Sequence, residues 1–261
     1  MEIKFHKYQG TGNDFVILDN RKNEYSSLSN ADVKKICDRN FGIGADGLML
    51  LNEKDGYDFD MTYFNADGNK GSLCGNGSRC MIKFAVFCGI NKDQYLFTAA
   101  DGEHVAKFSL ESVVSLKMND VYSIKKHHLD FIVDTGSPHY IKMSPAVMHL
   151  DVVKKGKEIR YSPEFEKEGI NVNFVEQLSE PDKIIVRTYE RGVENETLSC
   201  GTGVTAAAIV CFHNESGFNG VEIKTLGGKL LVEFDRTEDG SFKNIWLSGP
   251  AEKVFEGTLI I

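Results

Sequence analysis

Short apolar runs and one-sided apolar stripes alternate along the chain. Residues 3–5, 15–18, 48–51 and 59–64 are brief runs of aliphatic and aromatic side chains, which predict strands. Residues 183–187, 221–225, 230–234 and 244–247 repeat that texture, and Gly227-Gly228 and Asp239-Gly240 mark turns between them. Residues 31–39 have helical periodicity instead, with Val33, Ile36 and Cys37 on one face and Ser29 or Asn30 as the N-cap. Residues 81–88 and 204–213 are apolar on nearly every side, the pattern of a helix buried all round.

Three landmarks recur in order at almost one spacing. Thr11-Gly12-Asn13-Asp14-Phe15 is matched by Thr135-Gly136-Ser137-Pro138-His139, an offset of 124. Gly42-Ile43-Gly44 is matched by Gly169-Ile170-Asn171, an offset of 127, and Cys74-Gly75-Asn76-Gly77 by Cys200-Gly201-Thr202-Gly203, an offset of 126. The offset is close to half of 261 residues and far too long for a solenoid repeat. The expected fold is α+β: two similar domains related by a pseudo-twofold axis, each a mixed sheet or barrel around a central buried helix. Residues 1–117, completed by a strand at 250–261, form the first domain and 118–249 the second.

Composition narrows the function classes. With 41% hydrophobic residues the chain can build cores, and its net charge of −8, without a Lys/Arg stripe, argues against nucleic-acid binding. The longest apolar run, near 206–212, is too short to span a membrane, and the N-terminus lacks the apolar segment of a signal peptide. Six cysteines are too sparse for a disulfide scaffold, so a reducing cytoplasm is the expected compartment. No cysteine or histidine spacing resembles a metal site. Gly42-Ile43-Gly44-Ala45-Asp46-Gly47 spells a dinucleotide fingerprint, but a helix precedes it and a strand follows, the reverse of what that turn needs.

The paired C-G-x-G segments carry the chemistry. Each cysteine precedes a buried helix, where unpaired backbone N–H groups and the positive helix end favour an anion. Glycines let a ligand approach the backbone. Helix N-termini lower thiol pKa values from about 8.5 to roughly 3.5–7.5. Two thiols in mutual range favour one thiolate and one thiol. That pair can take a proton from one face of a carbon and return one to the other. The same N–H groups suit the carboxylate on which charge develops, and the scheme needs no cofactor.

Gly12-Asn13-Asp14-Phe15, Phe64-Asn65-Ala66-Asp67-Gly68, Cys74-Gly75-Asn76-Gly77-Ser78-Arg79-Cys80, Tyr189-Glu190-Arg191-Gly192, Cys200-Gly201-Thr202-Gly203 and Gly249-Pro250-Ala251 together resemble the diaminopimelate epimerases. The resemblance implies a cofactor-independent isomerase interconverting LL- and meso-diaminopimelate for lysine and peptidoglycan synthesis. It implies that Cys74 and Cys200 are the acid/base pair facing each other across a cleft, and that the chain is a homodimer. It further implies substrate contacts from Asn13, Asn65 and Asn171, and from backbone donors at Gly75, Asn76, Gly201 and Thr202. Glu190 and Arg191 would grip the distal amino-acid end, and His139 would orient groups near the thiols. The sequence departs from the family pattern at Ser137, at Gly47 and in an extra residue near Val193 to Glu196. Arg79 reads as a helix-surface charge and receives no role. A racemase for another polar amino acid, a thiol redox protein using Cys74 and Cys200, and a non-catalytic binding protein are the rival readings.

Overall fold

The computed structural model describes residues 1–109 and 113–261. The chain folds into two compact units, Met1–Leu116 with Gly249–Ile261, and Lys117–Ser248.

In the first unit the sheet runs Glu252–Ile260, Glu2–Gly10, Asn13–Asp19, Gly47–Asn52, Phe59–Asn65, Gln94–Ala99, Gly102–Phe108, Val114–Lys117. Neighbours pair antiparallel, antiparallel, parallel, antiparallel, parallel, antiparallel, antiparallel. In the second the order is Lys125–His127, Asp130–Asp134, Pro138–Met143, Asn171–Gln177, Lys183–Glu190, Gly217–Thr225, Gly228–Arg236, Phe242–Gly249, with the same succession of senses. The repeat seen in three short motifs is therefore a repeat of topology. The units differ at their first strand, which in the first unit comes from the far C-terminal end of the chain.

Each parallel connection contains a helix. Helix α1 (Asn30–Cys37) begins in a capping box between Ser29 and Asp32. Eight residues cannot hold a helix in water. Its Val33 and Ile36 pack against Val16, Leu18, Leu48 and Leu50, at about 1.5–3 kcal/mol per buried side chain. Helix α2 (Gly75–Phe87) lies on the opposite sheet face, where a side chain at Gly77 would meet the Met49 sulfur and the Phe15 ring. Both faces of these strands are thus covered, which is why residues 15–18 and 48–51 are apolar without alternation. Helix α3 (Val152–Arg160), capped by Asp151, repeats α1, and helix α4 (Gly201–Val210) repeats α2.

Helix boundaries differ from the sequence expectation for local reasons. The cysteine cap lets α2 start at Gly75, despite two low-propensity glycines, and it ends in a Schellman turn at Gly89, whose φ is +88°. Helix α4 stops at Val210 because the N–H groups of His213 and Asn214 turn to the buried Asn219 side chain. Helix α3 was not foreseen: lysines dilute its apolar stripe, and Gly156 stands mid-helix because a Cβ there would overlap Tyr189.

Candidate active site

In the first unit Cys74 is the N-cap of α2, and its sulfur accepts the Gly77 N–H at 3.4 Å. The Cys74 thiol donates to Asn13 Oδ1 at 3.6 Å, and Asn76 Nδ2 donates to the same oxygen at 3.4 Å. Asn13 turns its amide nitrogen to the Asp46 carboxylate, which fixes the orientation of the amide. The turn that delivers Asn13 passes through Thr11 at φ +49° and Gly12 at φ +86°. Four charges hold it. Asp14 pairs with Lys7 at 2.7 Å and with Arg39 at 2.8 Å, and Arg39 also reaches Asp46 at 2.8 Å. Burial works to raise the Asp14 carboxyl, but hydrogen bonds from Arg39 and Lys7 win and hold it at about 2. The Asp14 carboxylate also accepts the Asp46 backbone N–H at 3.1 Å, so it fastens the turn to the segment before strand Gly47–Asn52.

Arg79, read as a surface charge, is fully buried. Its guanidinium donates to Thr11 Oγ1 at 2.9 Å, Asn76 Oδ1 at 2.8 Å, Gly75 O at 3.4 Å and Pro250 O at 3.4 Å. Asn65 ends its strand exposed, with its amide nitrogen beside Gly71, and no hydrogen bond ties its side chain to the Cys74 cluster among the described residues. Gly47 has no space for a side chain: a Cβ would lie 2.5 Å from both Phe64 O and the Tyr63 ring.

In the second unit Cys200 is the N-cap residue of α4 with no side-chain cap bond to a backbone N–H, and its sulfur shares a hydrogen bond with Thr202 Oγ1 at 3.5 Å. Thr135 donates to Thr202 O at 3.0 Å. Asn171 is an internal bracket. Its nitrogen donates to Ser137 Oγ at 2.9 Å and Pro138 O at 3.2 Å, and its oxygen accepts the Arg191 N–H at 2.9 Å. The Arg191 guanidinium donates to Glu168 O, Gly169 O and Ser137 Oγ. Ser137 thus ties two site segments together. Val193 to Glu196 lie in a hairpin closed by strand Asn195–Thr197, which Arg187–Glu196 and Arg160–Glu194 ion pairs fasten to the unit. The hairpin strand pairs with Thr188, Tyr189 and Glu190 at the end of strand Lys183–Glu190.

His139 is buried on the same sheet face as Asn173. Asn173 Nδ2 donates to His139 Nδ1 at 3.1 Å, and Asn173 Oδ1 accepts from Thr188 at 2.9 Å. That bond leaves the ring proton on Nε2, which has no hydrogen-bond partner among the described residues. Burial, aided by the positive charge of Arg191, lowers His139 to about 3, so the ring is neutral. A Cβ on Gly203 would lie 2.3 Å from Asn173 Oδ1, so this network packs directly under the first turn of α4. Asn173 and Thr188 escaped the sequence reading, although the Asn-Val-Asn alternation puts Asn171 and Asn173 on one strand face.

The six cysteines are thiols. Burial pushes Cys37 to about 12, Cys211 to about 12 and Cys88 to about 11, and raises Cys80 further. No metal-binding group of His, Cys, Asp or Glu occurs among the described residues, and no described helix is long and apolar enough to cross a membrane.

The chain matches the diaminopimelate epimerase family over residues 5–122 and 131–254. It is 46% identical over 258 residues to a diaminopimelate epimerase of Flavobacterium psychrophilum, covering 98% of this chain and 100% of the relative. It is 41% identical to one of Chlorobaculum tepidum, over 97% and 99% of the two chains. Its fold is similar to a PhzF-family phenazine biosynthesis protein of Bacillus anthracis, with a TM-score of 0.73 at 14% identity and 100% of both chains covered. A hydroxyproline epimerase from Agrobacterium vitis aligns with a TM-score of 0.65 at 12% identity, over 99% of this chain and 92% of that one.

Proposed function

Because the chain belongs to the diaminopimelate epimerase family, we propose that it interconverts LL- and meso-diaminopimelate with Cys74 and Cys200 as its two acid/base groups. The observation that carries this reading is the matched pair of thiols, each the N-cap of a buried helix at the same place in a duplicated topology.

One cysteine, as thiolate, removes the α-proton from one face of the substrate carbon. The electron pair left behind spreads onto the α-carboxylate. The other cysteine, as thiol, delivers its proton to the opposite face, which inverts the centre and leaves the thiol/thiolate pair exchanged. The reverse direction uses the same groups in swapped roles. Backbone N–H groups at Gly75, Asn76, Gly201 and Thr202 receive the carboxylate charge; one well-aimed donor is worth about 3–4 kcal/mol in the transition state. Asn13, hydrogen-bonded to the Cys74 thiol, contributes on one side together with Asn65. Glu190 accepts from the distal ammonium, and Arg191, its backbone fixed by Asn171, meets the distal carboxylate. The neutral His139 offers Nε2–H as a donor near the Cys200 helix.

We read the assembly as a cytoplasmic homodimer. Exposed Val254, Phe255 and Ile260 on strand Glu252–Ile260 supply apolar surface for it, and sedimentation velocity tests it. The decisive experiment on function incubates reduced protein with LL-diaminopimelate in deuterated water. Conversion to the meso isomer with one α-deuteron is expected. Turnover of a different amino acid with none of this one would replace the substrate, and consumption of reductant as a substrate would replace the reaction class.

A further inference from the structure

Arg79 presents an electrostatic problem. Its guanidinium keeps its charge at any ordinary pH and is fully buried. Its four acceptors, Thr11 Oγ1, Asn76 Oδ1, Gly75 O and Pro250 O, are all neutral. Among the described residues no carboxylate forms an ion pair with it. A buried charge without an opposite charge is strongly unfavourable.

The duplicated fold supplies its own control. The offset of 126 that takes Cys74 to Cys200 takes Arg79 to Thr205. Thr205 Oγ1 donates to Gly201 O at 2.9 Å, the counterpart of the Arg79 bond to Gly75 O. A neutral hydroxyl meets the structural demand of that position. The charge in the first unit therefore answers a different demand.

We propose that Arg79 is a positioning residue that makes the two thiols unequal, favouring Cys74 as the thiolate and leaving Cys200 as the thiol before substrate binds. The inference rests on the acid/base reading of the two cysteines for its functional meaning.

The surrounding charges leave Arg79 as the unbalanced one. On α2 the other titratable neighbour is Cys80, whose thiol burial keeps neutral. Strand Glu2–Gly10 brings Lys7, strand Asn13–Asp19 brings Asp14, and the segments before strand Gly47–Asn52 bring Arg39 and Asp46. These two cations and two carboxylates pair among themselves. On strand Glu2–Gly10, His6 and Tyr8 pack farther along α2, against Phe84. On strand Glu252–Ile260, Glu252 bonds to Gln9, and Lys253 pairs with Glu256 over the Phe87 ring. The Asn13 carbonyl opposes the proposal, since it accepts from the Cys74 thiol, but S–H is a weak donor and the separation is 3.6 Å. The Gly77 N–H acts with Arg79, and through Asn76 Oδ1 the guanidinium also holds the amide that reaches Asn13.

The test is substrate-free iodoacetamide alkylation against pH, resolved by peptide mass spectrometry. Cys74 is followed in Cys200→Ala and Cys200 in Cys74→Ala, so that each thiol titrates alone. Cys74 should react with a midpoint about one pH unit or more below that of Cys200. Arg79→Met, in the Cys200→Ala chain, should raise the Cys74 midpoint and slow its alkylation at neutral pH by about tenfold. Arg79→Lys should restore most of the rate. A Cys200 midpoint equal to or below that of Cys74 overturns the proposal without any Arg79 variant, should Arg79→Met fail to fold. A folded Arg79→Met chain with an unmoved Cys74 midpoint overturns it equally. No amino acid is present, so this result is independent of whether diaminopimelate is the substrate.

Discussion

At the start of α2, the thiol caps its own helix, a charged quartet clamps the adjacent turn, and a guanidinium lies buried one turn below. At the start of α4, the thiol makes no cap bond, a neutral imidazole and two asparagines lie beneath, and a threonine takes the place of the guanidinium. The backbone plan of the two regions is one plan used twice. On the acid/base reading proposed above, the difference in charge lets two otherwise identical groups hold different protonation states, since the reaction needs one of each. Duplication supplied the geometry, and divergence of a few buried side chains supplied the inequality.

The harshest way to break the comparison is to remove one sulfur. Cys74→Ser and Cys200→Ser should each lower epimerisation by about 10²–10⁴-fold, as expected for a lost acid/base group, measured as α-deuteration with chiral analysis. Activity surviving in either variant would remove that cysteine from the reaction. Next is the network peculiar to the second unit. Asn173→Ala leaves Thr188 and the buried His139 Nδ1 without their partner, so a loss of about 1–3 kcal/mol is expected in urea unfolding. The single tryptophan, Trp246, sits half-buried in that unit and reports it by fluorescence.

Acid should then separate the two regions. His139 titrates near 6.5 when unfolded and near 3 when folded, because burial and then Arg191 disfavour its charge. The unfolded chain binds the extra proton in between, so its contribution is complete above about pH 6.5 and declines as pH falls toward 3. For Asp14 the same sign applies from 3.8 down to about 2. The surroundings of the α4 start should therefore weaken at higher pH than the Asp14 network, while His6, lowered by burial elsewhere in the first unit, adds a loss of the same sign there. His139→Gln should flatten the upper part of the Trp246-detected profile. An unchanged slope would show that the ring is protonated in the fold. The smallest effect should come from Thr205→Val. It removes one back-bond to Gly201 O, costing about 0.5–1.5 kcal/mol, and should leave the Cys200 alkylation midpoint in place. A shifted midpoint would mean that this hydroxyl tunes its thiol as Arg79 does.

Much of the site was legible in the chain because its signals are short-range. A cysteine followed by glycines and an apolar helical run announces a thiol at a helix start, whatever the rest of the molecule does. The Ser29 cap, the short apolar strands and each matched motif likewise depend on residues within a few positions of each other. Asn171 was singled out as a substrate contact, but the bonds it makes within the unit were not legible. Its side chain is spent on Ser137, Pro138 and the Arg191 backbone, partners up to 34 positions away.

By itself the sequence determined that the chain is duplicated, that its class is α+β, that each copy centres on a buried helix, and that a thiol precedes each such helix. Tertiary structure alone decided that Gly47 and Gly156 stand where a neighbour leaves no room, and that Arg79 is interior. The physical reason is range. Helix caps and periodicity act through neighbours along the backbone, whereas the burial of a charge depends on segments such as Thr11 and Pro250, which approach Arg79 only once the sheet has closed around its helix.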